Sequence, residues 1–183
     1  FNGKLYSGSL GGTGSSGSAG EVFVCYSNSS GNVSACDNNL DWASSFNNTL
    51  NSINVLRSFN GRLYAGAGDN GSNGDVWMCR PNITGDDKVC DTGDWIKSYD
   101  TSQINIFNIL PHNGILYATG DDIFFCNPKA NSTNLWEGLK ECDPDEWSLS
   151  FNGAGTDILP LEEFNGKLYA GQGGSSGVGD VYR

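Results

Sequence analysis

The chain has 183 residues, a formal charge of −11 and only 10 Lys and Arg, with an isoelectric point near 4.2. Phosphate binding needs a basic stripe, so nucleic acid is excluded as a partner class. No apolar run approaches the roughly 20 residues that span a bilayer as a helix, and 26 glycines among many Asn and Ser clusters point to short strands joined by turns.

In chain order, residues 1–50 open with Phe1-Asn2-Gly3-Lys4-Leu5-Tyr6. Asn-Gly before an apolar run is the cue for a type I′ hairpin, whose two central residues need positive φ. The run after the turn, Lys4–Gly8, is termed strand b. A Gly-rich loop follows, then strand c over Gly20–Cys25, and strand d starts at the acidic-Trp pair Asp41-Trp42.

Residues 51–102 repeat this order with a strand a, Ile53–Phe59, ahead of the turn Phe59-Asn60-Gly61-Arg62-Leu63-Tyr64. Strand c is Gly74–Cys79 and strand d begins at Asp94-Trp95. Residues 103–155 place strand a over Ile104–Pro111, the turn at His112-Asn113-Gly114-Ile115-Leu116-Tyr117, a shortened strand c over Asp122–Cys126, and strand d at Glu146-Trp147. Residues 156–183 carry Ile158–Phe164, Phe164-Asn165-Gly166-Lys167-Leu168-Tyr169 and Gly179–Arg183. The turn motifs start 58, 53 and 52 residues apart.

Strands b and c carry apolar residues on both faces, as a sheet covered on both sides requires. One such unit cannot bury its own faces, so neighbours must stack. The expected fold is all-β: a β-propeller of four-stranded antiparallel blades of about 50 residues, with about three and a half blades present. These are a partial blade b-c-d (1–50), two complete blades (51–102 and 103–155) and a partial blade a-b-c (156–183). The period, strand order and Asn-Gly-Lys-Leu-Tyr string resemble kelch-like and related propeller repeats of the type common in secreted multidomain proteins. The resemblance covers nearly the whole chain and implies architecture rather than activity; the kelch Gly-Gly doublet and distal aromatic spacing are not cleanly reproduced. Asp91-Thr92-Gly93-Asp94-Trp95 is similar to the Asp-box between strands c and d of sialidase-like propellers, without its leading Ser.

The six cysteines fall as Cys25/Cys36, Cys79/Cys90 and Cys126/Cys142, one at the end of strand c and one before strand d. Pairing within each blade is expected, each bridge contributing about 3 kcal/mol in the chain-entropy model. Zinc is the alternative, but CxxC spacing is missing and His112 is the single histidine. Disulfides imply an oxidising compartment, hence an extracellular or cell-surface location. Asn-x-Ser/Thr sequons at Asn28, Asn32, Asn47, Asn70, Asn82 and Asn131 are expected to carry glycans, four of them in loops between paired cysteines.

Candidate chemistry is sparse. Gly12–Gly17 and Gly66–Gly71 fit GxGxxG, but both run into a strand rather than a helix that would receive phosphates. His112 replaces a Phe of the repeat and is expected to pack. No hydrolase triad is visible. Asp143, Asp145 and Glu146, with Asp121 and Asp122, have the oxygen ligands that calcium takes, or else form and solvate a turn. Trp42, Trp77, Trp95 and Trp147 sit at repeat positions and are expected between blades; Trp136, off the repeat, is the candidate for stacking on a sugar or partner.

No catalytic residue, metal or cofactor is assigned. The expected function is a non-enzymatic, secreted and glycosylated structural or adhesive scaffold, a subunit of an extracellular filament or surface layer. It would associate with itself or with other extracellular proteins. A carbohydrate-binding, lectin-like propeller, or a non-catalytic part of a secreted glycoside-active enzyme, are the open alternatives. The phase of the repeat leads to the further expectation that a strand a precedes Phe1 and that a cysteine follows Arg183.

Overall fold

A computed structural model describes residues 1–11, 20–26, 36, 39–47, 51–68, 74–81, 89–128, 140–173 and 179–183. Among them there is no α-helix: fourteen strands and two short 3-10 turns make up the regular structure. The strands form four antiparallel sheets, taken up in chain order. The first holds β1 (Leu5–Gly8), β2 (Glu21–Cys25) and β3 (Trp42–Asn47). The second holds β4 (Ser52–Phe59), β5 (Arg62–Gly68), β6 (Asp75–Cys79) and β7 (Trp95–Asp100). The third holds β8 (Asn108–His112), β9 (Ile115–Thr119), β10 (Asp122–Cys126) and β11 (Trp147–Asn152), and the fourth β12 (Ile158–Phe164), β13 (Lys167–Gln172) and β14 (Asp180–Tyr182). Sequence neighbours pair throughout, so each sheet is a meander.

The turns follow from residue chemistry. Asn2, Asn60, Asn113 and Asn165 have φ of 46–51°, and the glycines after them 71–79°. Both central positions are therefore left-handed, the geometry whose twist matches the flanking strands. The c–d pairs share a further irregularity. Their register shifts at Val22/Phe23, Val76/Trp77 and Ile123/Phe124, the same place in each sheet, which locally disrupts and bends the ladder.

One expected strand is shorter than its repeat position implies. Strand a of the third unit begins at Asn108 rather than Ile104. The residues before it divide their bonds: the Ile106 amide donates to the Ala67 carbonyl and the Gln103 carbonyl accepts the Gly74 amide, both across to the preceding sheet, while the Phe107 amide donates to Thr119 of its own sheet. Pro111 is tolerated within β8 because that strand lies at the sheet edge, where no ladder donor is needed.

The core lies between the sheets. Three buried clusters occupy the three junctions: Val22, Phe46 and Leu63 are among those in the first, Tyr64, Met78 and Ile109 in the second, and Ile123, Ile158, Leu161 and Ala170 in the third. The inner strands pack in succession, β4 against β1 and β8, and β12 against β8. Close approach depends on small residues. A Cβ on Gly66 would lie 2.6 Å from Val55 of its own sheet and 2.7 Å from Ile106, so the segment leading into the next sheet seats on bare backbone. No comparable contact joins the fourth sheet to the first among the described residues, and these sheets do not close a ring.

The connection from β11 to β12 turns through Ala154 and Gly155, both left-handed at φ 56° and 78°. Ala154 donates its amide to Asn152 Oδ1 at 2.8 Å, which holds the turn against the steric cost of a Cβ there. That cost is about 1–2 kcal/mol for an L-residue. Ala154→Gly relieves it and is expected to raise stability by about 0.5–1 kcal/mol, seen as a higher midpoint in urea unfolding at unchanged slope.

Candidate functional site

Each sheet is joined to the next by the same parts. At one end of the strands, the amides of Ile53, Ile106 and Ile158 donate to the carbonyls of Ser9, Ala67 and Gly120, at 2.9, 3.0 and 2.8 Å. All three isoleucines are buried. A main-chain bond thus ties the start of one sheet to residues in or just past the strand that follows the Asn-Gly turn of its predecessor, at all three junctions.

At the opposite end of the strands the disulfides enter. Cys25–Cys36, Cys79–Cys90 and Cys126–Cys142 are formed, as the repeat predicts, with Cα atoms 5.9–6.0 Å apart. The second cysteine of a pair is gripped by the preceding sheet. The Cys90 amide donates to the Tyr6 hydroxyl and the Cys142 amide to the Tyr64 hydroxyl, both at 3.0 Å. The hydroxyls of Ser45 and Ser98 donate to the carbonyls of the same two cysteines, at 2.5 Å. Each serine also accepts the indole N–H of the next sheet's tryptophan, Trp95 on Ser45 at 3.1 Å and Trp147 on Ser98 at 3.0 Å. Burial raises the pKa of the Tyr64 hydroxyl far above its ordinary value, against the lowering effect of the Cys142 amide, so it stays a neutral acceptor.

Aromatic contacts complete the junction. Phe46 stacks on Trp95 and Tyr99 on Trp147, with centroids 5.0 and 5.2 Å apart. The same fourth-strand aromatics meet the third strand of the following sheet: Phe46 with Trp77, Tyr99 with Phe124 and Phe151 with Tyr182, at 4.8–5.2 Å. At the rim, Tyr26 Oη donates to Asp91 at 2.9 Å, and Arg80 at the corresponding position donates to Asp143 at 2.6 Å. The second junction adds a buried charge cluster, Glu141 receiving both Arg62 and Arg80. Its lone pairs are satisfied on both oxygens, as a buried carboxylate needs.

The third junction is built differently. It has the isoleucine bond and the Phe151–Tyr182 contact, and among the described residues its second sheet is the three-stranded β12-β13-β14. A cleft of about 310 Å³ opens there, lined by Tyr117, Ile123, Ser150, Phe151, Leu161 and Tyr182 among others. Tyr117 and Ser150 are the counterparts of Tyr64 and Ser98. Ser98 is fully buried, whereas Ser150 is exposed.

The sequence-derived candidates distribute unevenly over this frame. Trp95 and Trp147 are buried between sheets as expected, Trp77 packs on Phe46, and Trp42 borders a shallow recess with Ser7, Phe23 and Asn39 on the outer face of the first sheet. Asn47 is exposed at the end of β3, its amide donating to Glu21 at 2.9 Å. Asn28, Asn32, Asn70, Asn82, Asn131 and Trp136 lie outside the described residues, as does Gly12–Gly17. Gly66 and Gly68 lie within β5, not at a helix start.

His112 ends β8 with Nδ1 2.9 Å from Glu163 of the next sheet. Among the acidic residues, Asp143 pairs with Arg80, and Glu146 accepts the Asp143 amide at 3.2 Å. Asp122 receives the Gly153 amide and the Gln103 side chain. Among the described residues no group of three His, Cys, Asp or Glu is gathered for a metal. Sequence reading missed the serine. Its signal is Trp-x-x-Ser-aromatic, present as Trp42–Phe46, Trp95–Tyr99 and Trp147–Phe151. No protein-family model, curated protein or solved structure matches the chain.

Two expectations follow from this geometry. Ser98→Ala strands the Trp147 indole and the Cys142 carbonyl in the core and should cost about 2–3 kcal/mol, whereas Ser150→Ala should change stability by less than about 0.5 kcal/mol; paired denaturant titrations compare them. Asp121 has its pKa raised, first by burial and then by the hydrogen bond and charge of Asp157. The folded state therefore holds that proton more tightly than the unfolded chain, and stability is lost as pH rises above about 4. Asp121→Asn should raise the melting temperature at pH 7 and leave it unchanged near pH 3.

Proposed function

We propose that the chain is a stretch of a secreted, N-glycosylated scaffold of the kelch-like β-propeller class, whose four-stranded sheets are blades stacked in series. The observation that carries this reading is the duplicated junction. Identical donors and acceptors join the first sheet to the second and the second to the third. A head-to-tail contact of this kind is heterologous, and it can be extended by any further unit that presents the same atoms.

The cysteines support the extracellular part of the proposal. All six are spent in disulfides, which persist in oxidising compartments. The sequons supply glycan sites, Asn47 at an exposed strand end among them. The polar groups that converge at the junctions face the neighbouring sheet rather than a substrate, which favours a structural or adhesive role over a catalytic one.

Electron microscopy and sedimentation of the native, disulfide-intact material test the proposal. Elongated or layered assemblies are expected. A monodisperse monomer across the accessible concentration range would overturn the scaffold reading.

A further inference from the structure

We propose that the third junction carries a proton-operated clasp: two side-chain pairs, one at each end of the strands, hold the fourth sheet on the third more tightly in acid than at neutral pH. The clasp concerns these pairs alone and stands apart from the scaffold reading.

At the Asn-Gly end, His112 closes β8 where the other turns have Phe1, Phe59 and Phe164. Its Nδ1 lies 2.9 Å from Glu163 Oε2 of β12, and its Nε2 lies 2.8 Å from Asn113 Nδ2. A neutral ring with its proton on Nδ1 donates to Glu163 and accepts from Asn113. A second proton, on Nε2, sets a full charge opposite the carboxylate, and the Asn113 amide turns its oxygen to accept that proton. The hydrogen bond across the junction then becomes an ion pair. From the elements packed around β8, β9 presents the Tyr117 ring, 6.5 Å away. Strand β4 carries Arg57, bonded to the Ile109 carbonyl, and β5 carries Arg62, held by Glu141. On β12 Glu162 alternates to the other side of the strand, and Lys167 of β13 stands in register with Phe164.

At the other end, Asp121 sits in the turn between β9 and β10, next to Gly120, whose carbonyl accepts the Ile158 amide across the junction. Its side chain is hydrogen-bonded to that of Asp157, the residue before β12. Two ionised carboxylates cannot make such a bond, so one of them carries a proton. Both partners are held in place by their main chains. The Asp121 amide donates to Gln103 Oε1 at 2.8 Å, and the Asp157 carbonyl accepts the Gly173 amide at 2.9 Å. Asp122 beside them receives the Gly153 amide and the Gln103 side chain. Burial first, then the bond and charge of Asp157 and the charge of Asp122, raise the pKa of the Asp121 carboxyl. The contribution of this pair is therefore full below about pH 4 and is lost as pH rises through the raised value.

The first two junctions are fastened otherwise. They use a phenol on a carboxylate, Tyr26 on Asp91, and two guanidinium groups on Glu141 and Asp143, pairs that need no added proton. Acid thus tightens the third junction alone, at both of its ends.

Hydrogen exchange of the disulfide-intact chain, corrected for the intrinsic rate at each pH, reads the three junctions at the same atom: the amides of Ile53, Ile106 and Ile158. From about pH 4 to about pH 8 the opening constant at Ile158 should rise about tenfold in two steps, while those at Ile53 and Ile106 change less than about twofold. Asp157→Asn should remove the rise at the lower step. His112→Phe, which restores the residue of the repeat, should remove the upper step, and so should Glu163→Gln, which keeps a hydrogen bond but not the charge. A flat profile at Ile158 would overturn the proposal. So would a profile that persists in the chain carrying both Asp157→Asn and His112→Phe, or an equal rise at Ile53 and Ile106.

Discussion

The grip on the second cysteine of two of the disulfides, Cys90 and Cys142, is the constraint on which the joined sheets depend. A disulfide by itself restrains only its own sheet, here the c–d connection. In this chain the amide and carbonyl of Cys90 and Cys142 are taken up by a tyrosine and a serine of the preceding sheet. The bridge that closes one sheet therefore positions the contact with the next. A staple within a unit becomes an alignment device between units.

That coupling explains why the junctions are polar at their disulfide ends and apolar toward the middle. A serine hydroxyl buried among aromatic rings is costly unless both its donor and its acceptor are used. Ser45 and Ser98 use both, giving to a cysteine carbonyl and receiving an indole N–H. The tryptophan is then fixed in one orientation, and its ring stacks on the aromatic next to the serine. Toward the opposite end, Ile53, Ile106 and Ile158 fill the core while their amides cross the junction. Every element in the interface serves a main-chain group as well as a side-chain contact, which leaves little room for sliding one sheet over another.

The third junction keeps the apolar frame but differs at its serine. Its buried cluster is Ile123, Ile158, Leu161 and Ala170, and Ser150 is exposed where Ser98 is buried.

The strand order, the Asn-Gly turns and the cysteine pairing were legible in the sequence, because each depends on local chemistry repeated at a fixed period. Asn2, Asn60, Asn113 and Asn165 announce left-handed turns by residue type alone, and the cysteines choose their partners by position in the repeat. The late start of β8 was not legible. Ile104 to Phe107 look like strand by pattern, yet Asn105 bridges to Gly68 and the Ile106 amide is claimed by Ala67, both in a neighbouring strand that only folding brings near. The role of Ser45 and Ser98 was hidden for a related reason: serine is common and uninformative until two distant groups, about 45 and 50 residues away, converge on it. The sequence by itself determined four meanders, their turns and their disulfides, all of which are set by contacts within one repeat. Only the tertiary structure decided how one repeat holds the next, since those contacts join atoms of different repeats whose proximity no local pattern encodes.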